Sequence, residues 1–126
     1  MKEIGEYMSS PVLTIDADST VKEAAKHMGA NRIGALLVKK GDEYVGIVTD
    51  SDMARKVIGQ GLNPEATRVS EIMSQPIMSI DRFLPIEQAD EMMQERNVRH
   101  LAVTEEEKIV GVLSVKDLIL FRAKKP

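Results

Sequence analysis

Apolar and polar residues follow two rhythms along this chain, and the rhythms succeed one another in a fixed order. Val12 to Ile15, after Pro11, is a short β-branched stretch that predicts a strand. Val21, Ala24, Ala25 and Met28 then fall at helical spacing. Thr20 and Glu23 ahead of them have capping-box spacing, in which a hydroxyl and a carboxylate each satisfy a free backbone amide at a helix start. Ala35 to Val38 is an unbroken apolar run, the pattern of a strand covered on both faces. Gly41-Asp42 predicts a turn, Tyr44 to Val48 another strand, and about Ser51 to Ile58 a second helix. The order then returns with Ile77 to Ile80, Ile86 to Arg96, Leu101 to Thr104, Ile109 to Leu113 and Val115 to Arg122. Pro85, a residue favoured in a first helical turn, stands where Thr20 stood.

The recurrence is a true repeat with an ungapped offset of 65 residues. Glu6, Met8, Ser9, Pro11, Ile15 and Asp16 recur as Glu71, Met73, Ser74, Pro76, Ile80 and Asp81. The same shift carries Ala24 to Ala89, Met28 to Met93, Val38 to Val103, Val45-Gly46 to Val110-Gly111 and Asp52 to Asp117. The chain therefore divides into repeat 1 at residues 1–60, a linker at 61–68 containing Gly61, Asn63 and Pro64, and repeat 2 at 69–126. One strand–helix–strand–strand–helix unit has too little core to stand alone. The expected fold is α/β, with two β-α-β-β-α repeats related by a pseudo-two-fold axis and their sheets packed face to face. Such a junction would create two equivalent clefts, a place that ligand sites favour.

Composition narrows the function. With 126 residues, 43% hydrophobic and 29% charged, the chain is ordinary for a soluble globular protein. It has no cysteine, which excludes disulfides, thiolate metal sites and cysteine nucleophiles. A net charge of -3 and 3% aromatic residues argue against nucleic acid as the main partner. No apolar stretch approaches the roughly 20 residues of a membrane span, and the charged start Met1-Lys2-Glu3-Ile4 does not read as a signal peptide. A cytoplasmic module with a small-molecule or protein partner is the expectation.

Candidate chemistry lies where the last strand of each repeat runs into a hydroxyl and, three residues on, a carboxylate: Thr49-Asp-Ser-Asp52 and Ser114-Val-Lys-Asp117. Two readings are open. The spacing is that of a capping box, which starts a helix without any ligand. Alternatively, a helix N-terminus offers amides and a positive dipole to phosphate, and a carboxylate there can accept from two vicinal ribose hydroxyls. The motif recurs at the same place in both repeats and follows Gly46 or Gly111, where backbone can be approached closely.

With these residues in view, the chain resembles a pair of cystathionine β-synthase (CBS) domains, a Bateman module. The resemblance covers about residues 1–123. It rests on the Met-Ser-x-Pro segments, Val45-Gly-Ile-Val-Thr-Asp-Ser-Asp52, Asn97-Val-Arg-His-Leu-Ala-Val103 and Gly111-Val-Leu-Ser-Val-Lys-Asp117. It implies binding of an adenosine-containing ligand (AMP, ADP, ATP or S-adenosylmethionine) between the repeats, with no required cofactor. It makes Asp52 and Asp117 the ribose-binding acids and Thr49 and Ser114 the helix-start hydroxyls. Thr14-Ile15 and Ser79-Ile80 would line the base pockets through backbone groups, and Ile33 and Val98 would sandwich the adenine. Arg99-His100 match a phosphate-binding position, with Arg32, Arg55 and Lys116 as helpers. Their counterparts in repeat 1, Gly34 and Ala35, carry no charge, so the two clefts are expected to differ.

The resemblance further implies a homodimer and an energy-sensing or signalling role. No attached catalytic or transport domain is expected, and the effector is expected to be a separate protein. The alternative is an interaction or scaffold module with empty clefts; a nucleotide hydrolase is a remote third. No nucleophile-plus-base constellation appears, so the chain is not expected to be an enzyme. Two distant histidines, His27 and His100, make no transition-metal site. The methionines read as pliable core filler, and Glu105-Glu-Glu-Lys108 as a solvated hairpin turn.

Overall fold

Parallel strands cannot be joined by a tight turn, so a strand–helix–strand order places the helix as a crossover. The computed structural model, which describes residues 2–123, shows this twice. β1 (Thr14–Asp16) leads through α1 (Val21–Asn31) to β2 (Ala35–Lys40), which pairs parallel with β1 and antiparallel with β3 (Glu43–Thr49). A single α-helical turn, α2 (Asp50–Asp52), continues as a π-helical stretch over Met53–Ile58. After the connector comes α3 (Val69–Ile72). The second sheet repeats the plan with β4 (Ser79–Asp81), α4 (Ile86–Arg96), β5 (His100–Glu105), β6 (Lys108–Ser114) and α5 (Val115–Ala123). The mixed α/β fold with two three-stranded sheets is the one the pattern predicts.

The 65-residue offset survives into geometry. Thr14 pairs with Leu37 as Ser79 pairs with Ala102, and the β-bulge between Val38 and Lys39 recurs between Val103 and Thr104. Helices α1 and α4 both end on a left-handed residue, Arg32 and Asn97, each at φ 53°. Thr20 caps α1, its side chain accepting from the Glu23 amide at 3.1 Å while Glu23 accepts from the Thr20 amide at 3.2 Å. Pro85 stands one residue ahead of α4, at its N-cap. The Glu105–Lys108 hairpin turns through Glu106 and Glu107 at φ 50° and 68°, both exposed, as a solvated turn requires.

Two expectations shift. The first strand of each repeat begins at Thr14 and Ser79, two residues later than the apolar run suggested. The helix expected at Ser51 to Ile58 is mostly π-wound, whereas its counterpart Val115–Ala123 is regular α-helix. The compact units cut the chain differently from the repeats. One unit is Leu13–Ile77; the other joins the residues up to Val12 with those from Met78 onward.

The segments that open each repeat are therefore exchanged. Ile4, fully buried, packs with Ile80, Ile86, Leu101, Leu113, Leu118 and Phe121 of repeat 2. Its repeat mate Val69, with Ile72, packs with Val21, Ala24, Val38, Val48 and Val57 of repeat 1. In each sheet the last strand has one free edge, which invites pairing. Ser74 bridges Ile47 of β3, and Ser9 bridges Val112 of β6. Gly46 and Gly111 make this possible: a Cβ on Gly46 would meet the Met73 Sδ at 2.6 Å, and one on Gly111 the Met8 Sδ at 2.6 Å.

Candidate functional site

Register gathers the sequence-selected residues of each unit at one end of its sheet. In the first unit the starts of β1 and β2 lie beside the finish of β3, since Thr14 pairs with Leu37 and Ala35 with Thr49. Thr14, Ile15, Ile33, Thr49 and Asp52 share that end. In the second unit Ser79 pairs with Ala102 and His100 with Ser114, which gathers Ser79, Ile80, Val98, Arg99, His100, Ser114, Lys116 and Asp117. The carbonyl of Arg99 accepts from the Val115 amide at 2.9 Å, so the basic pair sits against the start of α5. Arg99 and His100 thus belong to the same sheet end as Ser114 and Asp117.

The apolar members are committed to packing. Ile80 lies in the core of its unit; Ile15, Ile33 and Val98 are half-buried against their cores. A ligand at these positions would meet backbone atoms and side-chain edges. The close approach at Gly46 and Gly111, read from sequence as room for a ligand, is taken by the chain's own Met73-Ser74 and Met8-Ser9 segments.

The Thr49–Asp52 pair is a complete capping box, and the Ser114–Asp117 pair forms the carboxylate half of one. Asp52 accepts from the Thr49 amide at 3.0 Å and the Thr49 hydroxyl at 3.1 Å, both on Oδ2, while its own amide donates to Thr49 Oγ1 at 3.1 Å. Asp117 accepts from the Ser114 amide at 2.8 Å and the Ser114 hydroxyl at 3.1 Å, again on Oδ2. The local spacing dictates this in both copies. Beyond that the copies diverge. Asp52 is 6% exposed; its Oδ1 takes the Ser74 hydroxyl at 3.0 Å and the Lys56 ammonium at 2.9 Å. Lys56 also donates to the Ile72 carbonyl at 2.9 Å. Asp117 is half-buried, and among the described residues Ser114 is its partner.

Ser74 and Lys56 were not among the sequence candidates. Lys56 carried a signal, because an acid and a lysine four residues apart are helix neighbours. Ser74 carried none, since its contact depends on the exchanged segment. The remaining basic candidates Arg32, Arg55, Arg99 and Lys116 are exposed, and His27 is half-buried on α1. Among the described residues no cluster of three His, Cys, Asp or Glu could hold a metal ion, and no helix is long and apolar enough to cross a membrane.

Comparison with known proteins places this geometry. The family described as CBS domain matches twice, at residues 4–59 and 69–124. The CBS domain-containing protein YhcV of Bacillus subtilis is 30% identical over 118 residues, covering 94% of this chain and 84% of that protein. The CBS domain-containing protein CBSCBSPB1 of Arabidopsis thaliana is 38% identical over 108 residues, 84% of this chain. The chain spans 20% of that relative and 60% of the protein MK0525 of Methanopyrus kandleri, to which it is 30% identical over 118 residues. Among solved structures, a protein with CBS domains from Burkholderia ambifaria superposes with a TM-score of 0.91 at 32% identity, covering 99% of this chain and 97% of that one. A hexameric CBS-CP12 protein from bloom-forming cyanobacteria gives 0.88 at 31% identity over 98% of this chain and 72% of that one.

Proposed function

Because the chain belongs to the CBS-domain family, as a tandem pair, we propose that it is a regulatory module that binds an adenosine-containing ligand and signals its occupancy to an effector protein. The observation that carries this reading is the Asp117 site. A carboxylate with an oxygen to spare stands at a strand-to-helix turn, with Arg99, His100 and Lys116 gathered at the same sheet end. Such a carboxylate suits two vicinal hydroxyls, and the basic residues with the α5 N-terminus suit phosphate. AMP, ADP, ATP and S-adenosylmethionine all share the ribose. Signalling requires that the ligand bind two arrangements of the protein with different affinity.

Calorimetric titration with AMP, ATP and S-adenosylmethionine tests the reading. The expected result is sub-millimolar binding of at least one, weakened roughly tenfold to hundredfold by Asp117→Ala, the loss of a charge-assisted hydrogen bond of about 1.5–3 kcal/mol. Binding that is indifferent to Asp117→Ala rejects the ribose assignment. Absence of binding by all three favours the second reading, an interaction module, which the internally satisfied Asp52 also supports.

The module is also proposed to form a homodimer. Ile119 and Leu120 of α5 are 56% and 58% exposed, a costly arrangement for adjacent large apolar side chains. Light scattering after size-exclusion chromatography should give twice the chain mass; a monomer at high micromolar concentration rejects it.

A further inference from the structure

We infer that Lys56 closes the Asp52 site, so that each chain takes one adenosine-type ligand, at Asp117. The inference rests on the adenosine reading above and adds which of two repeat-related carboxylates serves it.

The case is one of acceptor capacity. An ionised carboxylate offers about four acceptor positions. At Asp52 these are engaged by the Thr49 amide, the Thr49 hydroxyl, the Ser74 hydroxyl and the Lys56 ammonium, at 2.9 to 3.1 Å. Two ribose hydroxyls need two acceptors and find none without expelling protein donors. Expelling Lys56 is unfavourable, because it would leave a carboxylate that is 6% exposed without its counter-ion. Lys56 is itself anchored by a second hydrogen bond, to the Ile72 carbonyl at 2.9 Å.

The Ser74 and Lys56 contacts do not recur at Asp117. The repeat mate of Lys56 is Phe121, a buried residue whose ring meets Tyr7 edge to face at 5.8 Å between centroids. The repeat mate of Ser74 is Ser9, which bridges Val112 through backbone. Among the described residues Asp117 is held on Oδ2 by Ser114, which leaves Oδ1 for a ligand. The flanking charge points the same way. Gly34, Ala35 and Ser51 of the first repeat stand where the second has Arg99, His100 and Lys116, and Asp50 stands where it has Val115. A phosphate-bearing ligand meets added negative charge in one site and basic groups in the other. The winding also differs over this stretch, π-helical across Met53–Ile58 and α-helical across Val115–Ala123.

Isothermal titration with AMP reads the stoichiometry. Wild type should take one AMP per chain, and Asp117→Ala should hold it roughly tenfold to hundredfold more weakly. Lys56→Met, which keeps length and removes charge, leaves only the neutral, rotatable Ser74 hydroxyl to displace from Oδ1 and should raise the count to two. Amide NMR supplies a readout without any variant: AMP should shift the resonances of Gly111 to Asp117 and leave those of Gly46 to Asp52 in place. Two AMP per wild-type chain, shifts in both segments, or shifts confined to Gly46 to Asp52 would overturn the single-site inference while leaving the adenosine reading intact. No uptake of AMP, ATP or S-adenosylmethionine by wild type or Lys56→Met would overturn both.

Discussion

Replacing Ile4 by Ala should destabilise the unit built on the second repeat by about 2–5 kcal/mol, the range for truncating a large aliphatic side chain in a packed core. Truncating a residue of a frayed, exposed segment would cost less than about 0.5 kcal/mol. Ile4 is instead fully buried, and its amide donates to the Leu84 carbonyl at 3.0 Å. The next amide, that of Gly5, donates to Arg82 at 2.8 Å. Native-state hydrogen exchange gives the decisive reading, because it resolves local opening from global unfolding. Amides of β5 and β6 should lose protection while those of β2 and β3 keep it. The reverse order would show that the opening segment serves its own repeat. Val69→Ala, the repeat mate, should act in the opposite sense, since Val69 packs with Val38 and Val48.

Gly111→Ala should cost about 1–3 kcal/mol, the usual range for forcing atoms into a packed site. The new methyl would lie 2.6 Å from the Met8 Sδ and 2.9 Å from the Ser9 carbonyl oxygen. The thioether can swing aside, but the carbonyl is fixed by two backbone hydrogen bonds between Ser9 and Val112, at 2.8 and 3.1 Å. Adding Met8→Ala should therefore recover only part of the loss in a urea-unfolding series. Full recovery would place the whole conflict on the methionine. Gly46→Ala should behave alike, because its Cβ would meet the Met73 Sδ at 2.6 Å and the Ser74 carbonyl oxygen at 3.0 Å.

What could be read from the sequence was whatever depends on neighbours a few residues apart. Of the stripe Val21, Ala24, Ala25 and Met28, all but the exposed Ala25 are buried as the period requires; the Thr20–Glu23 and Thr49–Asp52 boxes close where their spacing puts them, and Ser114–Asp117 forms the carboxylate half. The exchange of opening segments could not be read. Met8-Ser9-x-Pro11 and Met73-Ser74-x-Pro76 are nearly identical, and so are the glycine-bearing edges they cover. Either segment fits either edge, so similarity alone is silent on the choice. That silence hid the Ser74 contact to Asp52. The Lys56 contact was hidden differently: the offset directed notice to positions that match, whereas Lys56 matters because Phe121 does not match it. The π-winding that follows Asp52 has no periodic signature, as a stretch of 6 residues is too short to favour one pitch over another.

The exchanged segments have a consequence for any attempt to take the protein apart. The obvious place to divide it is the exposed connector, for example at Gly61, between the two repeats. Each fragment would then carry the other's missing piece: the N-terminal fragment would hold Ile4 without the core that receives it, and the C-terminal fragment would hold Val69 in the same position. Neither could complete its own core. Mixed together, they would restore each other as a split protein whose halves fold only in company, because each repeat carries a piece of the other's core.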